Sequence, residues 1–130
     1  MATTATAREY SQASMDVAGS LSHFSEKLAF TTGPVELQRA IDNGEVNVID
    51  VRAAEAYEEG HVPGSLSLPR DRWDSLEGLT KDKLNVLLCY SEVCHLAATA
   101  AVQFATAGFP IMELDGGMRA WREYKMPIQA

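Results

Sequence analysis

Asn85-Val86-Leu87-Leu88-Cys89-Tyr90-Ser91-Glu92-Val93-Cys94-His95-Leu96-Ala97-Ala98 changes character twice within one short stretch. Its first residues form an apolar run rich in strand formers, which predicts a buried strand over 85–89. A polar loop follows. From His95 or Leu96 to Ala107 the chain favours helix, and Gly108 stops it. Ala97, Ala98, Ala100, Ala101 and Ala105 make that helix thin enough to lie close against a sheet.

The same alternation extends in both directions. Val35, Leu37, Ala40 and Ile41 suit a short helix ended near Asn43-Gly44. A β-branched strand follows over 46–51, then a helix-friendly segment over 53–59, a short strand over 65–68 closed by Pro69, and a helical turn over 71–76. Beyond Gly108 come a strand over 111–114, a Gly116-Gly117 turn and a last helix over 118–124. Strands alternating with helices predict an α/β domain with a mostly parallel central sheet and helices on both faces.

Residues 1–29 read as an N-terminal helical extension to a domain over 30–130. There Tyr10, Ala13, Val17, Leu21, Phe24 and Leu28 recur at three- and four-residue spacing, which gives one apolar stripe. The stripe is expected to pack on the domain or on its copy in a homodimer; a docking helix for another partner is the sharper alternative. Gly33-Pro34 marks the join.

The 130 residues suffice for one ordinary domain, and 46 % hydrophobic with 22 % charged residues is globular composition. Eighteen acidic against 11 basic residues, a formal charge of −7, argue against nucleic acid, whose binding rests on Lys and Arg meeting phosphates. No apolar run reaches the roughly 20 residues of a membrane span, so no membrane association is expected. The first residues lack a basic start followed by an apolar block, and the expected compartment is the cytoplasm.

Only two cysteines are present, Cys89 and Cys94, which is too few for a disulfide framework. With His23, His61 and His95 scattered, they do not follow a zinc-ligand spacing, and no metal is expected. Cys89 ends a strand and precedes a helix, where open α/β sheets bind ligands. Unpaired N–H groups and the positive helix end there favour a thiolate, a persulfide or an oxyanion, so the Cys89 thiol is expected to be acidified. The alternative for either cysteine alone is quiet burial as a small hydrophobe.

Asp50-Val51-Arg52, then Tyr57-Glu58-Glu59-Gly60-His61-Val62-Pro63-Gly64-Ser65 and Leu68-Pro69, occur in that order. The strand into Cys89 follows, then Ala107-Gly108-Phe109, Leu114-Asp115-Gly116-Gly117-Met118-Arg119-Ala120-Trp121 and Met126-Pro127-Ile128. Together these elements resemble the single-domain rhodaneses over about residues 30–128. The resemblance implies a sheet of about five strands. It also implies sulfurtransferase activity, in which a loop cysteine takes up a sulfane sulfur as a persulfide and passes it to a nucleophile. Carried onto this chain, Cys89 is the nucleophile, and the amides of the loop Tyr90, Ser91, Glu92, Val93, Cys94 and His95 would hold the persulfide. No cofactor is implied. The partner would be a small sulfur donor or a persulfidated protein.

The flanking motif residues read as structural. Asp50 and Arg52 suit a charge-assisted pair, His61 and Gly64 a tight connection, Gly116 and Gly117 a turn, and Trp121 core filling. The loop departs from the family in lacking its Gly and its Arg or Lys, while Glu92 adds negative charge, so thiosulfate is an unfavourable donor. Phosphatases of this fold resemble one another in Cys-x5-Arg; here His95 stands at the Arg position, which removes bidentate oxyanion binding. Cys94 is expected to resolve or modulate a species on Cys89, with a loop disulfide or swapped roles as alternatives. A non-catalytic binding module and a thiol redox switch are the competing functions.

Overall fold

The structure is a computed structural model, and it describes residues 15–130. Helix α1 (Val17–Phe30) leads into strand β1 (Thr31–Thr32), helix α2 (Pro34–Asp42), strand β2 (Val46–Asp50), helix α3 (Ala54–Glu59) and strand β3 (Leu66–Ser67). A 3-10 turn (Arg70–Ser75), strand β4 (Leu84–Leu88), helix α4 (Leu96–Thr106), strand β5 (Ile111–Leu114) and helix α5 (Gly117–Glu123) complete the order. The five strands form one sheet in the order β1-β5-β4-β2-β3, with every pairing parallel. This is the α/β architecture that the alternation implies. β1 is an addition: the sequence reading has only a join there, because two threonines carry no periodicity.

Side-chain alternation along the central strands splits the core into two layers. Ile49 and Leu87 face Ala97, Ala100 and Phe104 of α4, together with Trp73 of the 3-10 turn. Val48, Val86 and Leu88 face Leu37 of α2 with Met118 and Trp121 of α5. Cys89, two residues after Leu87, belongs to the α4 layer. The alanines of α4 let that helix approach the sheet.

From β2 the chain moves outward to β3, whereas from β4 it moves the opposite way to β5. The order therefore reverses between β2 and β4, and a crevice opens beyond their carboxyl ends. Asp50-Val51-Arg52 ends one side of it. Cys89-Tyr90-Ser91 starts the other.

Helix α1 differs from the expectation of a helix packed on the domain. It is capped by Asp16, whose side chain accepts from Gly19 N at 2.9 Å, yet none of its residues is buried. Val17, Leu21, Phe24 and Leu28 are all exposed. Its tie to the sheet is an exposed Lys27–Asp115 ion pair at 3.5 Å. Tyr10 and Ala13 of the predicted stripe lie outside the described residues.

Candidate active site

β4 ends at Leu88, so Cys89 is the first residue of the loop and not the last of the strand. The N-terminus of α5 clamps that loop: Met118 N donates to Cys89 O at 2.8 Å and Arg119 N to Tyr90 O at 2.9 Å. Gly117, at φ +57°, makes the clamp feasible, because a Cβ there would lie 2.6 Å from Cys89 O and 3.0 Å from Ser91 N. The Gly-Gly pair thus positions the loop as well as turning the chain. Within the loop, Cys94 N donates to Ser91 O at 3.1 Å. Helix α4 then starts at Leu96 with His95 as its N-cap.

The two thiols have different surroundings. Cys89 is 2 % exposed, and its Sγ donates to Cys94 O at 3.4 Å, with Ser91 O at 3.9 Å. Cys94 is partly exposed, and its side chain interacts directly with that of Cys89. Glu92, Val93 and His95 of the same loop face solvent, whereas Ser91 is half-buried.

Acidity follows burial, and it corrects the sequence reading. Burial pushes the Cys89 thiol up to about 11 from 9.0, and contact with Cys94 adds to the rise. The N–H groups of Ala97 and Ser91 pull the other way and are outweighed. At Cys94 the smaller burial is overcome by N–H groups of Leu96 and Tyr90 and by the Cys89 side chain, so this thiol lies below its ordinary value. The acidified thiol is therefore Cys94. The amide cradle is also displaced from the expected set. Leu96 and Ala97 of the first helical turn contribute to it, while the Cys94 N–H is used within the loop. Orphan N–H groups of a helix start explain that displacement.

Tyr90 is the hinge between the loop and β2: its hydroxyl accepts from Ala53 N at 3.2 Å, and the Arg52 guanidinium lies 5.8 Å from its ring centre. Asp50 and Arg52 are both buried and pair through Nη2–Oδ2 at 2.8 Å and Nε–Oδ1 at 3.0 Å. The same guanidinium donates to Gly60 O at 2.8 Å, which holds the segment that leads into His61. His61 stacks on Tyr57 at 3.7 Å with Nδ1 2.7 Å from Tyr57 O, and its backbone bridges to Gln129. Gly64 turns the chain at φ +84°, and buried Trp121 donates to Pro127 O at 2.7 Å. These residues hold the frame around the loop without joining the thiols.

Beside Tyr90 and Leu96 lies an open cleft of about 520 Å³, bounded by Val51, Ala54, Glu55 and the Arg70-Asp71-Arg72 turn. Arg72 is committed to Ser67 O at 3.0 Å and to Glu77, whereas Arg70 lies over the Trp73 ring at 5.3 Å. The sequence reading missed these cations because it sought them in the loop; the signal was the Leu68-Pro69 stop followed by Arg70-Asp71-Arg72. It also missed Glu113 on β5. Burial and then Asp115 raise that carboxyl, His95 opposes the rise, and its charge acts on Cys94.

The Rhodanese-like domain model matches residues 33–124. This chain belongs to the rhodanese-like family. A thiosulfate sulfurtransferase, GlpE, of Stutzerimonas stutzeri is 29% identical over 91 residues, covering 68% of this chain and 82% of its own. An HTH-type transcriptional regulator of Mycobacterium tuberculosis is 37% identical over 94 residues, 72% of this chain. The chain spans 42% of that regulator's length. Among solved structures, the BH2092 protein of Bacillus halodurans is similar with a TM-score of 0.80 and 33% identity, over 87% of this rhodanese-like chain and 85% of its own.

Proposed function

We propose that this rhodanese-like domain is a sulfurtransferase or persulfide carrier. It takes a sulfane sulfur from a small sulfur donor or a persulfidated protein, holds it on Cys89 and passes it to a thiol or another nucleophile. The observation that carries this reading is the position of two thiols at the sheet's switch point, where main-chain N–H groups of Tyr90, Ser91, Leu96 and Ala97 favour the ionised form of one sulfur or the other. Such groups stabilise a sulfur anion without a cofactor. Persulfides suit the site better than thiosulfate, because Glu92 and Glu113 surround a loop with no cation of its own, although Arg70 stands at the cleft.

The test is intact-mass analysis of the full chain after exposure to cysteine persulfide, followed by peptide mapping and cyanide treatment. The expected result is a gain of one sulfur, resting on Cys89 and released to cyanide as thiocyanate. A protein that never gains sulfur overturns the reading. The approach of Cys89 Sγ to Cys94 O, at 3.4 Å, favours one second reading, a redox switch through a Cys89–Cys94 disulfide. Loss of two hydrogens under a mild oxidant, with no sulfur gain from any donor, would support that switch instead.

A further inference from the structure

The proposed carrier, Cys89, is sealed: it is 2 % exposed and belongs to the α4 core layer. Its Sγ faces Ser91 O and Cys94 O of the loop rather than solvent. Cys94 is different. It is partly exposed at the mouth of the loop, and its neighbour Val93 is 77% exposed. The Cys89 Sγ–H reaches back along the loop to Cys94 itself, donating to its carbonyl oxygen at 3.4 Å, and each thiol shifts the acidity of the other. The accessible thiol and the sheltered one are therefore adjacent, with no third side chain needed between them.

We infer that the loop is a two-step relay, in which Cys94 takes the sulfane sulfur from the donor and hands it inward to Cys89. The inference rests on the sulfurtransferase reading and adds an order of events to it. In the first step the Cys94 thiolate attacks the outer sulfur of a persulfide donor, R–S–SH. A Cys94–S bond forms, the donor's S–S bond breaks, and R–S⁻ leaves with the bonding pair. In the second step the Cys89 sulfur attacks the outer sulfur of the Cys94 persulfide. The new Cys89–S bond forms, the Cys94–S bond breaks, and the Cys94 sulfur departs with the pair and receives the Cys89 proton. The balance is Cys94–S–SH plus Cys89–SH giving Cys94–SH plus Cys89–S–SH, so neither an oxidant nor a reductant is required.

Acidity agrees with this order: Cys94 lies below its ordinary value and is the better-populated thiolate, whereas Cys89 is held up to about 11. Thiolate is the attacking form. On Cys89 the sulfur sits deeper than on Cys94 and is released to thiols more slowly, and the exposed cysteine is free again.

Rapid-quench mass mapping on the full chain with cysteine persulfide tests the order. Wild type is expected to show sulfur first on Cys94 and later on Cys89. Cys94→Ser is expected to load Cys89 at least about tenfold more slowly, with circular dichroism confirming its fold and Cys94→Ala repeating the result. Cys89→Ala is expected still to load Cys94, more slowly than wild type because a side chain that favours the Cys94 thiolate is gone, and to lose that sulfur quickly to added thiol. Wild-type loading of Cys89 in the Cys94→Ser protein overturns the relay and leaves the sulfurtransferase reading intact. Accumulation of a Cys89–Cys94 disulfide with hydrosulfide release also overturns it, since Cys89 would then attack the inner sulfur. Absence of sulfur from every protein overturns the relay together with the reading beneath it.

Discussion

Gly117 and Cys89 approach so closely that a Cβ on the glycine would stand 2.6 Å from the cysteine's carbonyl oxygen. That contact joins the Gly-Gly turn after β5 to the first residue of the loop after β4. It explains why the turn matters beyond its own conformation: a side chain at 117 would push the start of α5 away from the two carbonyls that its Met118 and Arg119 amides clamp. The shape of the thiol loop is thus set partly from another strand.

Gly117→Ala should therefore cost more than a left-handed glycine usually does. The residue would keep φ +57° and meet Cys89 O, whereas Gly44, at φ +69°, has open space around it. Strained backbone alone costs about 1–3 kcal/mol. Gly44→Ala should stay within that range, and Gly117→Ala should exceed it and also speed alkylation of Cys89. Equal denaturation midpoints for the two variants would refute the close-approach argument.

The alternation of strand and helix was legible because β2 and β4 are apolar on both faces, the pattern of strands in a covered parallel sheet. The loop's place was legible for the same reason, since only β4 passes into a loop holding both cysteines. The order of acidity was not. A rule about helix ends predicts an acidified Cys89, but burial outweighs the amides there, and burial depends on Ala97, Ala100 and Phe104 arriving from α4. Arg70 and Glu113 were missed for a related reason. They come to the site from the 3-10 turn and β5, through pairings that no local pattern encodes.

Asp50→Asn should be among the most damaging polar substitutions. It takes the negative charge away from the Arg52 guanidinium, 4 % exposed, and puts an NH2 donor in place of one of the two oxygens that accept from it, leaving the amide oxygen and Gly60 O as acceptors. Breaking a buried pair by removing one partner costs about 3–5 kcal/mol. Urea denaturation should show a loss of that size. A change below about 1 kcal/mol, the median worth of a surface pair, would mean the network contributes nothing special.

Helix α1 carries Leu21 at 70% and Leu28 at 74% exposure with no buried residue of its own. An isolated helix of this length is marginal in water, so its apolar stripe needs a cover. Pairing with its copy is the proposed one. Sedimentation equilibrium should give a dimer for the wild type and a monomer for the double variant Leu21→Glu, Leu28→Glu. A wild-type monomer at every concentration would remove this reading.

Cys89 also sets a pH dependence whose sign is fixed by its raised pKa, from 9.0 up to about 11. The folded state holds the thiol proton more tightly than the unfolded chain does. Its contribution to stability is therefore fully present below pH 9.0 and is lost as pH rises towards about 11. Urea midpoints of wild type and Cys89→Ala should differ by a constant amount up to that window and converge through it. A difference that stays flat across the window would show that the thiol titrates as it does in the unfolded chain.

Glu113→Gln isolates the electrostatics of the outer thiol. Cys94 is faced by the Cys89 side chain, by the N–H groups of Leu96 and Tyr90, and by the charge of Glu113, which opposes ionisation. His95 acts on Glu113 and offsets part of that charge. Removing the carboxylate should lower the pH at which Cys94 becomes half-reactive towards iodoacetamide, so alkylation at a fixed pH below that point speeds up while the rate at high pH stays the same. Glu113 is itself held above the ordinary carboxylate range by burial, so the effect should vanish in acid, where Glu113 is protonated in the wild type. Identical pH profiles for the two proteins would show that the main-chain amides alone set the acidity of Cys94.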